Sequence, residues 1–280
     1  MPHATVNDAQ IFYTDVGQGE PLLLIPGLGL DHNYYRLAIP IFAEAMTVHA
    51  VDPRGIGQST KSAPPYSMEA WADDFAALIQ SIGCGPVHVL GTSLGGAVAL
   101  ALTVRAPEVV KSLTVVGAFS ELDRAAVLNF NLRARLIELL GMSEEVADYM
   151  GLWTMTREFV NSDEGYAQMK ANQAIIKRNS SDLYLAFVRS VLAWGRDLPG
   201  QEHERKFTDE LPKIRARTLV IGSGNDQLIP LALSTKIADN IPGAKLHVMP
   251  DGGHIPFIEK PLEVTKVVLD FIGARERASA

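Results

Sequence analysis

Val87-His88-Val89-Leu90-Gly91-Thr92-Ser93-Leu94-Gly95-Gly96-Ala97-Val98-Ala99-Leu100-Ala101-Leu102 is the stretch that decides the fold. An apolar run at 87–90 leads into Gly-x-Ser-x-Gly, and residues 95–102, small and apolar, read as a helix. A serine between a buried strand and a helix sits in a tight, strained turn. The glycines around it let strand and helix approach closely, and the hydroxyl projects at the carboxyl edge of a sheet. Serine is a poor nucleophile by itself, so this reading demands a base and an orienting acid elsewhere in the chain.

Working outward from the serine, both partners occur downstream. His254 lies in the turn Asp251-Gly252-Gly253-His254, and Asp226 lies in Gly222-Ser223-Gly224-Asn225-Asp226, directly after the strand-like run 218–221. The chain order is therefore Ser, Asp, His. Glu121 and Asp123 follow the strand after the serine and compete with Asp226 for the acid's role; the helix begun by Pro230 behind Asp226 favours the latter.

The flanking pattern is a repeated alternation. A β-ribbon is expected over 5–16, strands at 22–25, 46–51, 87–90 and 110–116, and a helix capped by Ser67 running to about Ile82. Short apolar strands alternating with helices indicate a parallel sheet. From 119 to 212 the pattern is helical only, with helices expected over 124–140, 144–152, 163–177 and 183–194. Alternation resumes with strands at 218–221 and 245–249 and helices at 231–240 and 261–274. The expected architecture is an α/β core of residues 1–118 and 213–280, carrying a helical cap of residues 119–212.

Composition narrows the function classes. A net charge of −7 argues against a nucleic-acid binder. No apolar run spans a bilayer, and the first residues lack a signal peptide's basic and apolar regions, so a cytoplasmic location is expected. Cys84 is the one cysteine, which excludes an internal disulfide and suggests no thiolate metal site. No histidine–carboxylate cluster is evident along the sequence, so neither metal nor organic cofactor is expected.

Four motifs, Pro26-Gly27-Leu28-Gly29, Asp52-Pro53-Arg54-Gly55-Ile56-Gly57-Gln58-Ser59, the Ser93 pentapeptide and Gly253-His254, carry a resemblance to the α/β-hydrolase superfamily over nearly the full length. The nearest likeness is to its capped esterases, enol-lactonases and carbon–carbon bond hydrolases. The resemblance implies a mostly parallel twisted sheet flanked by helices, a Ser93–His254–Asp226 triad, and an oxyanion hole made by the backbone N–H groups of Leu28 and Leu94. Many relatives carry histidine where Pro26 stands, so any supporting bond from that histidine is missing here.

Bland readings apply elsewhere. His32, His49, His88, His203 and His247 are expected to be structural or exposed, Asp52 and Arg54 to brace a turn, and Cys84 to be inert. Most cap aromatics and methionines should pack helix on helix; Met150 and Trp153, near a break between helices, are the candidates for the substrate pocket. Arg133, Arg157, Arg189 and Arg196 could bind a substrate carboxylate or simply sit on solvated faces. The resulting expectation is hydrolysis of a small-to-medium apolar ester or lactone by a monomer or homodimer. Cleavage of a carbon–carbon bond in a vinylogous diketone is the alternative enzyme reading, and a small-ligand receptor the alternative of another class.

Overall fold

A computed structural model of the chain describes residues 2–194 and 206–274. Two short antiparallel strands open it, β1 (His3–Val6) and β2 (Ala9–Phe12), joined by a turn in which Asn7 takes φ 50°. The ribbon expected over 5–16 is thus a tighter hairpin that starts earlier, because an asparagine tolerates the left-handed turn conformation. The main sheet has six strands: β3 (Glu20–Ile25), β4 (Met46–Ala50), β5 (Val87–Thr92), β6 (Val110–Val116), β7 (Arg217–Ser223) and β8 (Lys245–Met249). Every neighbouring pair is parallel, in the order β4-β3-β5-β6-β7-β8.

The central strands are apolar on both faces because helices cover both, whereas β8 at the edge is largely exposed apart from Met249. Leu23 and Ile25 of β3, with Val87 and Val89 of β5, join the core beneath α2 (Met68–Ile82) and α3 (Leu94–Arg105). Leu22 and Leu24 point the other way, into a second core with Phe42 of α1 (Ile39–Phe42). Ser67 caps α2 by accepting from the Ala70 N–H, and Gly83, at φ 70°, ends it.

Strand order determines where a ligand can bind. From β3 the chain steps outward to β4, then returns to place β5 on the other side of β3. Connections therefore leave the carboxyl ends of β3 and β5 in opposite directions and open a crevice between them, the usual ligand position in such sheets.

Between β6 and β7 the sheet pattern is interrupted by α4 (Arg124–Leu140), α5 (Glu144–Thr154), α6 (Arg157–Val160), α7 (Asp163–Ile176) and α8 (Ser181–Trp194). Asp123, Ser143, Thr156 and Ser162 each accept a hydrogen bond from a first-turn amide of the helix that follows, which explains why this segment breaks into short helices. After β7 come α9 (Leu231–Asn240), α10 (Pro256–Glu259) and α11 (Pro261–Ile272); the last stops at Gly273, φ 73°. No helix among the described residues is long and apolar enough to cross a membrane.

Candidate active site

Ser93 follows β5 and opens α3 with φ 55° and ψ −120°, a strained conformation for a residue with a side chain. The turn survives because its neighbours are glycine. A Cβ on Gly91 would overlap the Gly95 carbonyl, and one on Gly95 would overlap the carbonyls of Ile25 and Pro26. The loop after β3 is thereby pressed against the serine: a Cβ at Gly27 would lie 3.4 Å from that of Ser93. Tyr35, unremarked in the sequence, locks this junction from behind. Its hydroxyl donates to the Ile25 carbonyl at 2.8 Å and lies 3.0 Å from the Thr92 hydroxyl.

The three separated residues converge. His254 Nε2 is 2.9 Å from Ser93 Oγ, and its Nδ1 is 2.7 Å from Asp226 Oδ2. The carboxylate at Nδ1 selects the tautomer in which Nδ1–H donates, leaving Nε2 to accept from the serine hydroxyl. The other Asp226 oxygen accepts from the N–H groups of Leu228 at 3.0 Å and Ile229 at 2.8 Å. Ser93, Asp226 and His254 are only 7%, 4% and 3% exposed, so these bonds operate largely out of water. Glu121 instead pairs with Lys236 and accepts from the Thr208 hydroxyl, while Asp123 caps α4. Of the three acids, only Asp226 is within hydrogen-bonding distance of His254.

The backbone N–H of Leu28 and that of Leu94 have no hydrogen-bond partner among the described residues. Leu94 is the first residue of α3, where an amide has no intrahelical acceptor and the helix dipole favours negative charge. Leu28 lines the cavity above Ser93; the Leu94 side chain belongs to the core.

That cavity is closed over by α4, α5, α7 and α8. It is small, about 50 Å³, where a single water needs on the order of 10–15 Å³. Ala147, Met150, Gly151 and Thr154 line it from one face of α5. Trp153 does not. Spaced three residues from Met150 but outside that stripe, its ring turns aside toward Tyr149, 6.4 Å away between centroids.

Two groups missed in the sequence join the cap to the histidine loop. The Thr154 carbonyl accepts the His254 backbone N–H at 2.9 Å. Glu259 accepts from the Thr156 N–H at 3.0 Å, the Thr156 hydroxyl at 3.1 Å and the Gly253 N–H at 3.3 Å. Burial pushes its carboxyl above the ordinary value despite these donors. No sequence signal marks either group, since the Thr154 carbonyl and the Glu259 carboxylate meet their partners only when folding brings these segments together.

The four arginines separate on inspection: Arg157 and Arg189 are exposed, Arg133 is buried and lines the cavity, and Arg196 lies outside the described residues, as does His203. One expectation needs correcting. Asp31, His32 and Asp52 do form a histidine–carboxylate cluster, with ligand atoms within 4.8 Å of one another. Folding brings β4's end to the loop after β3, which linear spacing hides. The cluster is internally bonded: Asp52 accepts from the His32 N–H and contacts His32 Nδ1, and Asp31 accepts from the Asn33 N–H and Arg178. Burial alone would lower the His32 imidazole, but the hydrogen bond and charge of Asp52 raise it.

Comparison with known proteins follows the same lines. Residues 20–261 match the family model described as alpha/beta hydrolase fold. A protein named "Putative carbamate hydrolase RutD" from Azorhizobium caulinodans is 28% identical over 273 residues, 98% of each chain. A 2-hydroxymuconate semialdehyde hydrolase from Pseudomonas sp. (strain CF600) is 29% identical over 275 residues, 95% of this chain and 91% of that protein. The crystal structure of the enol-lactonase from Burkholderia xenovorans LB400 superposes with a TM-score of 0.85 at 22% identity, covering 97% of this chain and 100% of that one, a likeness of fold.

Proposed function

The chain belongs to the alpha/beta hydrolase fold family, and from that premise we propose that it is a serine hydrolase cleaving a carboxylic ester or lactone. The observation that carries this reading is the unbroken line Asp226–His254–Ser93 at 2.7 and 2.9 Å, at the floor of a buried cavity.

His254 Nε2 takes the Ser93 proton as Oγ attacks the substrate carbonyl carbon. The carbonyl π pair moves to oxygen, and the N–H groups of Leu28 and Leu94 hold the resulting oxyanion. Asp226 accepts from Nδ1–H throughout and stabilises the imidazolium. Collapse of the tetrahedral adduct breaks the bond to the alkoxide, which leaves with the proton carried by His254. An acyl group remains on Ser93. Water then gives its proton to His254 and its oxygen to the acyl carbon, and Ser93 recovers its hydrogen as the acid departs. The small cavity means that cap side chains such as Met150 must yield to admit an acyl group.

The relative named for 2-hydroxymuconate semialdehyde hydrolysis supports a second reading, carbon–carbon cleavage of a vinylogous diketone by the same residues. The relative named as a carbamate hydrolase puts carbamates beside esters as acyl donors. Hydrolysis of 4-nitrophenyl esters from acetate to octanoate, by the wild type and Ser93→Ala, is the test. Multiple turnover at about 1 s⁻¹ or faster, lost in the variant, is expected. A dione cleaved far better than every ester would replace the leading reading, and bound but unturned esters would favour a receptor.

A further inference from the structure

Arg133 of α4 is 3% exposed and lines the same cavity as Ser93 and His254. Its contacts are all neutral. Nη1 donates to the Tyr184 hydroxyl at 3.3 Å, and Nη2 donates to Asn129 Oδ1 at 3.2 Å. Nε has no hydrogen-bond partner. The Phe130 ring lies 5.1 Å from the guanidinium carbon. Among the described residues no carboxylate comes within 4.0 Å of this side chain. A guanidinium stays charged in any protein environment, and a charge removed from water without a counter-charge is costly.

Arg54, a guanidinium that is only partly buried, is treated differently. Arg54 makes two 2.7 Å bonds to Asp74, through Nε and Nη2, and a second ion pair at 2.7 Å to Asp8. There two carboxylates offset the charge. Arg133 is buried more deeply and has longer bonds to uncharged acceptors, so packing does not account for its charge.

Two further orphaned atoms face the cavity from α7. Asn172 Oδ1 and Gln173 Oε1 are buried without partners. Gln173 is held in this orientation because its Nε2 donates to the Ala147 carbonyl and to Asp148, both at 3.0 Å. Acceptors of this kind suit a hydroxyl or N–H of a ligand. The remaining wall, with Leu28, Phe130, Met150 and Met169, is apolar.

The structure assigns Arg133 as a carboxylate-binding residue: the substrate bears a carboxylate remote from the bond that is cut, with a hydroxyl or N–H for Asn172 and Gln173. This deepens the reading of the site as a serine hydrolase and rests on it for the reaction, though not for the binding. An unpaired guanidinium presents parallel N–H donors matched to a carboxylate, and burial strengthens the attraction.

The test compares mono(4-nitrophenyl) esters of glutaric and adipic acid with 4-nitrophenyl pentanoate and hexanoate, their equivalents without the carboxylate. The wild type should favour the acid esters by roughly tenfold in kcat/KM or more, from a charge-assisted contact. Arg133→Met should lower kcat/KM for the acid esters by about 10- to 100-fold, through KM, and change the neutral esters less than about threefold. Arg133→Lys should fall between. No preference for acid esters in the wild type, or equal losses on both series in Arg133→Met, would overturn the assignment. Calorimetric titration of glutarate and adipate into Ser93→Ala, with and without Arg133→Met or Arg133→Lys, reads binding apart from chemistry. Diacid binding that needs Arg133 in a protein that cleaves no ester would reject the hydrolase reading and keep this one; no diacid binding, alongside active ester hydrolysis, would do the reverse.

Discussion

The cavity has two walls built on opposite principles. On the sheet side the polar side chains satisfy one another: Asp226, His254 and Ser93 form a connected chain, Asp226 takes two further backbone donors, and Tyr35 ties the end of β3 to the serine turn, with the N–H groups of Leu28 and Leu94 left open among the described residues. On the cap side polar atoms are left over, with Arg133 Nε, Asn172 Oδ1 and Gln173 Oε1 buried and unpartnered. A buried polar group without a partner is expensive, so such atoms persist where a ligand completes them. The difference teaches how the labour is divided. In the proposed hydrolase, the sheet side serves bond cleavage whatever the substrate, and the cap side is completed by the right one.

Variants on the sheet side should be the most severe. Ser93→Ala should lower kcat for any cleaved ester by on the order of 10⁴-fold or more, measured by steady-state kinetics, with Tm nearly unchanged. Asp226→Asn should lower kcat by about 10³-fold or more by favouring the wrong His254 tautomer, whereas Glu121→Gln should leave it within about twofold. Equal losses from those two would break the assignment of the acid. Arg133→Met, the cap-side counterpart, should discriminate between substrates instead of abolishing turnover.

The seam between the walls gives smaller effects. Glu259→Ala strands the N–H groups of Thr156 and Gly253 and should cost about 1–3 kcal/mol in urea unfolding, with a severalfold drop in kcat as the His254 loop loosens. Glu259→Gln sharpens the point through pH. Burial raises the folded carboxyl above its ordinary value, so the folded state holds this proton more tightly than the unfolded chain. The resulting stability is present below the ordinary carboxylate value and is lost as pH rises through the raised one. Relative to Glu259→Gln, the wild type should therefore lose Tm across that interval, and parallel Tm–pH curves would refute the account.

Much of the fold was legible because its signals are local. Gly91 and Gly95 bracket the serine since a Cβ at either would strike backbone, and such a demand is written at the position itself. The strand–helix alternation, and its interruption between β6 and β7, could be read from apolar runs, the Ser67 cap and the absence of strand-like runs over 119–212. Legibility declined toward the cap. Trp153 looked suited to a pocket as a large aromatic near a helix break, but the rotation of α5 aims Met150, Gly151 and Thr154 inward and leaves it aside. Arg133, Arg157 and Arg189 were indistinguishable along the chain because burial belongs to the packed helices. The Asp31–His32–Asp52 cluster escaped notice because the end of β4 and the loop after β3 meet only in the folded sheet.

The sequence by itself determined the α/β alternation, the strained serine turn and the order of the groups at the site, because each depends on residues close together or on covalent chain order. Only the tertiary structure decided which acid meets His254, that Thr154 and Glu259 hold the histidine loop, and that one arginine of four faces the cavity unpaired. Those outcomes turn on distances and desolvation between segments up to about 160 residues apart, as between Ser93 and His254. Charge and hydrogen-bonding power are fixed by residue type; what they are worth is set by what the fold places beside them.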